Sequence, residues 1–151
     1  MKKTFSLALC ICTIMIAISS CSGAKSDNPL IGKWEQTVAE NGVKNVVIYE
    51  FAENGELEQT MTVTSDMINI EASGTCEYTY ENNTITFQFS AENFDYSKFE
   101  IEGIEEDVIQ DVLEQTKASI VNVTQTLENV VISGDTLTAT FGFRPITLIR
   151  R

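Results

Sequence analysis

The 151-residue chain predicts an all-β domain: an antiparallel up-and-down meander of about eight strands closing into a barrel, with one α-helix near residues 104–119. Three observations carry this reading. Apolar and polar residues alternate with period two over most of the chain, in runs rich in β-branched and aromatic residues. Short turn signals separate the runs, so neighbours in sequence become neighbours in space. One segment alone abandons period two for helical spacing. Closing such a meander removes the unpaired edges it would otherwise expose.

Strands are expected near 31–38, 44–52, 56–64, 67–80, 84–90, 96–102, 121–132 and 136–149. In the second, Val47, Tyr49 and Phe51 share a face; in the third, Leu57, Gln59, Met61 and Val63 do. The fourth sets Gly74, Cys76, Tyr78 and Tyr80 together, and the fifth Ile85, Phe87 and Phe89. The last sets Leu137, Ala139, Phe141 and Phe143 on one side. The fourth and seventh are long enough to need a bend or bulge. Glu40-Asn41-Gly42, Glu53-Asn54-Gly55, Glu81-Asn82-Asn83 and Ser133-Gly134-Asp135 supply the turns. Asn and Gly there provide the positive φ angles of tight hairpins.

From Ile104 to Ile120 the apolar positions are Ile104, Val108, Ile109, Val112, Leu113 and Ile120, one face of a helix. Glu105, Glu106 and Asp107 fall in the first turn, where the dipole favours acids, and Lys117 sits near the other end. With Asp111 and Glu114 these acids form a cluster, but the alternating Asp/Asn and Gly of a calcium loop is absent. A solvated helix face is expected there, and no metal.

The N-terminus reads as an address. Lys2 and Lys3 precede a 14-residue apolar run, Phe5 to Ile18. At about 1.5 Å per residue it spans roughly 21 Å, short of the about 30 Å hydrocarbon core, so it fits a secretory signal better than a membrane span. Ile18-Ser19-Ser20-Cys21 follows and resembles a bacterial lipobox. The resemblance implies cleavage before Cys21, a diacylglyceryl thioether on its sulfur and acylation of its amine. The chain then divides into a signal peptide (1–20), a lipidated cysteine and tether (21–29) and a folded domain (30–151). Ser22 after the cysteine, in place of Asp, leans toward the outer membrane. Lys25-Ser26-Asp27 partly matches a surface-export signal, so periplasm and cell surface both stay open. Cys10 and Cys12 leave with the signal, which makes Cys76 the one remaining thiol. It is expected to point inward, with no disulfide.

Leu30-Ile31-Gly32-Lys33-Trp34 resembles the Gly-x-Trp start of lipocalins and of bacterial lipocalin-like lipoproteins. The resemblance implies an eight-stranded barrel whose floor is closed by Trp34 under an arginine from the last strand, with Arg144, Arg150 and Arg151 as candidates. The helix departs from the lipocalin pattern, where it follows the last barrel strand, and no second lipocalin motif is legible.

The formal net charge of −12 argues against nucleic acid as a partner. The chain has no histidine, no Gly-rich phosphate loop and no Gly-x-Ser-x-Gly, so neither an enzyme nor a cofactor is expected. Inward aromatics mixed with Gln36 and Gln59 fit either a solid core or a small cavity. In the cavity reading Tyr49, Gln59, Tyr78, Tyr80 and Phe87 are the ligand contacts. Two functions follow. One is a membrane-anchored binding module for a small apolar or amphipathic ligand. The other is a structural or inhibitor-type lipoprotein that acts on a protein partner through its outer surface. Asp135-Thr136-Leu137 resembles a periplasmic O-glycosylation acceptor of some gut bacteria, against the plainer reading of a hairpin turn.

Overall fold

A computed structural model of the chain describes residues 28–151. The signal segment, Cys21 and the tether through Asp27 lie outside the described residues. The elements in order are β1 (Gly32–Glu40), β2 (Val43–Phe51), β3 (Glu56–Thr64), β4 (Ile68–Glu81), β5 (Thr84–Phe87), β6 (Phe94–Ile101), α1 (Glu106–Ile120), β7 (Gln125–Ser133), β8 (Thr136–Phe141) and β9 (Arg144–Arg150). All described strand pairs are antiparallel apart from a lone parallel bridge, Phe89 to Val121. They close into a barrel of eight positions, because β3 pairs β4 as well as β2, and β9 returns to β1. Every position is filled from within Gly32–Arg150, so the barrel closes on its own.

The fifth position is composite. β5 pairs Tyr78–Glu81 of β4, and β6 pairs Ile68–Gly74 of the same edge in the same direction. The two are one strand interrupted by residues 88–93, and Thr75 N–H donates to the Asn93 carbonyl across the break. On this side β7 pairs with β5 and not with β6. Along β6 the next place in the wall belongs to α1, which packs against β6.

Two expected boundaries are corrected. The run 136–149 is a hairpin, not one strand, since the chain reverses at Gly142 (φ 60°) between β8 and β9. Phe143 therefore sits at the turn tip fully exposed, and not on the inward face. The seventh strand starts at Gln125, because after α1 ends at Ile120 the chain bridges Phe89 at Val121 and turns at Asn122 (φ 60°) before it joins the sheet. The expected irregularity is present in β7, between Glu128 and Val131; the register also shifts at Glu71/Ala72, but there the extra residue is Ser97 of β6 and not a residue of the long β4. In β7 the extra residue, Asn129, takes φ 54°.

One end of the barrel is sealed. Trp34, Leu30, Phe51, Leu57, Ile85, Leu127, Leu137 and Leu148 are almost wholly buried there. The Trp34 indole N–H donates to the Leu30 carbonyl at 2.7 Å. The Arg150 guanidinium lies over the Trp34 ring, 4.1 Å from its centroid, and donates to the carbonyls of Ile31 and Pro29. Gly32 adopts φ 124° directly beneath, where a Cβ would stand 3.0 Å from Arg150 Nη1. The β7–β8 turn closes the same end, with Asp135 3.6 Å from Arg150. Asp135 and Thr136 are thus the turn and the first strand residue of that hairpin.

Candidate functional site

The opposite end is open, and its geometry follows from strand register. One rung of inward residues runs Trp34, Tyr49, Gln59, Gly74 and Phe94 across five neighbouring strands. The next rung toward the open end runs Gln36, Val47, Met61, Ala72 and Tyr96. Above the first rung lies a cavity of about 960 Å³. Tyr49, Gln59 and Phe94 line it from below; Gln36, Val47, Met61 and Ala72 form one wall. Ser119 and Ile120 at the end of α1, with residues 123–126, form the other. Phe141, Gly142, Phe143 and Arg144 at the β8–β9 turn make the rim, joined by Glu128.

The floor is a chain of rings. Tyr49 meets Phe87 edge-on at 6.2 Å, Phe87 meets Phe89 at 5.6 Å, and Phe89 meets Phe94 at 5.4 Å. Gly74 makes this packing feasible: a Cβ there would stand 2.6 Å from Phe94 Cδ2 and 2.8 Å from Phe89 Cδ1. The wall also splays. β1 pairs with β9 only at Trp34–Arg150 and Glu35–Ile149, so beyond Glu35 the two strands part and widen the mouth.

The Ser119 and Thr124 hydroxyls in the wall donate to Thr116 and Gln88, but four other polar groups inside have no protein partner. Among the described residues, the side-chain amides of Gln36, Gln59 and Gln125 and the Tyr49 hydroxyl make no hydrogen bond. Burial pushes the Tyr49 phenol up to about 12, so it stays a neutral donor at any physiological pH. What the cavity offers is therefore apolar contact with a few oriented amide and hydroxyl groups, the usual make-up of a small-molecule pocket.

Of the ligand contacts expected from sequence, Tyr49 and Gln59 line the cavity. Tyr78, Tyr80 and Phe87 do not. Tyr78 lies toward the sealed end, its hydroxyl donating to the Ala52 carbonyl at 3.2 Å and its ring 5.0 Å from Phe51. Tyr80 pairs Ile85 beside the β4–β5 turn, and Phe87 is buried behind Tyr49. The physical reason is that strand parity selects the inward face but not the height along the barrel. Gln36 was legible as inward but was not assigned to a ligand. The contributions of α1 and of the β8–β9 turn were missed, though Gly142 inside an alternating run is itself a signal of a break. Cys21 lies outside the described residues. Cys76 is inward, opposite Leu57, yet half-buried and not sealed off. No protein-family model matches this chain, nor does any curated protein sequence.

Proposed function

We propose that the protein is a lipid-anchored, non-catalytic binding module that takes one small apolar or amphipathic molecule through the open end of its barrel. The observation that carries the reading is the cavity: about 960 Å³ above a sealed floor, with interior amides that have no protein partners. Binding pockets for small molecules run to roughly 300–1,000 Å³. A buried or semi-buried amide without a partner is costly, so groups left in this state are supported as ligand contacts. The anchor rests on the basic residues, the short apolar run and Ile18-Ser19-Ser20-Cys21, which suit an outer-membrane lipoprotein facing the periplasm or the cell surface.

Native mass spectrometry of the domain from Ser22 onward, purified from its own host, should show a discrete added mass that disappears on organic extraction. A domain that carries nothing, and that no apolar probe enters, ends the binding reading. In the same host, Cys21→Ser should abolish fatty-acid labelling and release the protein from membranes; unchanged labelling ends the anchor.

A further inference from the structure

We infer that the ligand is an amphiphile with an anionic head, a carboxylate for example, and that Arg144 holds this head at the mouth of the cavity. The inference rests on the binding-module reading and names the ligand chemistry of that site.

Arg144 begins β9 and pairs Phe141 of β8, which in turn shares the face of Leu127 and Ala139. It therefore stands on the inward parity, in line with Ile146 and Leu148, and lines the cavity where the mouth meets solvent. It is also an unused cation. Lys33, Lys98, Lys117, Arg150 and Arg151 each sit beside a carboxylate; among the described cations Lys44 and Arg144 have no acidic partner, and of these two only Arg144 lines the cavity, since Lys44 stands on the outward parity of β2. In a chain of net charge −12 that is unexpected.

The splay of the wall explains it. Continuing the register set by Trp34–Arg150 and Glu35–Ile149 would bring Glu40 opposite Arg144. The strands part before that point, and no ion pair forms. Glu128, the acid at the rim, stands on the other parity with Thr140 and Pro145, and does not pair with Arg144 either. A guanidinium accepts a carboxylate through two parallel N–H donors, which fixes the orientation of the head as well as its charge. The tail then points down toward Val47, Met61 and Phe94, and the amides of Gln36 and Gln59 can take any hydroxyl it carries.

The test compares dodecanoate, dodecanol and dodecyltrimethylammonium for binding to the domain from Ser22 onward, below their micelle concentrations. Dodecanoate should bind about three- to tenfold more tightly than dodecanol at low salt, and the cation more weakly than either. The preference should shrink as salt rises, since the head stays near solvent. Arg144→Gln should bring dodecanoate to the affinity of dodecanol and leave dodecanol unchanged, and Arg144→Lys should keep part of the preference. Because Arg144 is exposed at a turn, neither variant threatens the fold. Equal affinity for dodecanoate and dodecanol, or a preference that survives Arg144→Gln, overturns the anionic head while leaving the binding module intact. Failure of all three probes to bind overturns the binding module, and the head assignment with it.

Discussion

Trp34 shows how much one side chain can carry. Its ring is fully buried, its N–H is satisfied by Leu30, and Arg150 covers its face. A cation over an indole adds about 0.5–2 kcal/mol, with the lower end fitting a guanidinium that still touches water. Trp34→Ala should cost about 3–5 kcal/mol, a large share of the roughly 5–15 kcal/mol that holds a domain together. Intrinsic fluorescence, which reports Trp34 alone, should be blue-shifted and poorly quenched by iodide. Red-shifted, freely quenched emission would mean that the floor is open. Cys76 gives a second residue-scale expectation. Burial against the core pushes its thiol up to about 11, and the lesser effect of a backbone hydrogen bond at Gln88 only partly opposes this. The thiolate is the reactive form, so the labelling rate of the folded protein should climb through the alkaline range without levelling off below about pH 11. A plateau below pH 9 would refute the buried setting.

At the scale of elements, Gly74 and the interrupted β5–β6 strand depend on each other. Residues 88–93 leave the ladder and carry Phe89 into the core, and the ring fits only because β4 has no side chain at Gly74. Gly74→Ala should therefore destabilise by about 1–3 kcal/mol through overpacking, read from urea unfolding. Phe89→Leu in the same chain should recover part of that loss; purely additive effects would show that the two sites do not meet. The strands themselves were readable because each buries one face, which imposes period two on the sequence. Their heights were not. Tyr78 and Phe87 have the same alternation as Tyr49, and only the stagger between strands separates the floor from the cavity. The break at Gly142 left only the faint signal of a glycine within a continuing alternation, and the union of 84–90 and 96–102 into one strand position left none, because pairing with partners distant in sequence decides where each strand stops.

For the whole molecule, the sealed end and the open end have different chemistry. The sealed end is packed with aliphatic and aromatic side chains, whereas the mouth leaves Phe141, Phe143 and Val123 exposed beside Arg144. α1 stands in the wall next to β6 with Ile109 as its buried contact and Lys117 3.3 Å from Asp95, while Val108 and Val112 face solvent. No described helix is long and apolar enough to cross a membrane.

The chain enters the barrel at the sealed end, beside Trp34 and Arg150. β1, nine residues long, rises roughly 30 Å from there toward the mouth, less whatever its tilt removes. The tether between Cys21 and Leu30 can stretch to about 26–29 Å at most. If Cys21 holds the protein to a bilayer, the leash is tied at the foot: a slack tether leaves the aperture turned away from the lipid, and only a tether stretched nearly to its limit lets the mouth reach it. In the slack stance the aperture faces whatever lies across the aqueous gap; in the stretched one it faces the lipid at its own foot.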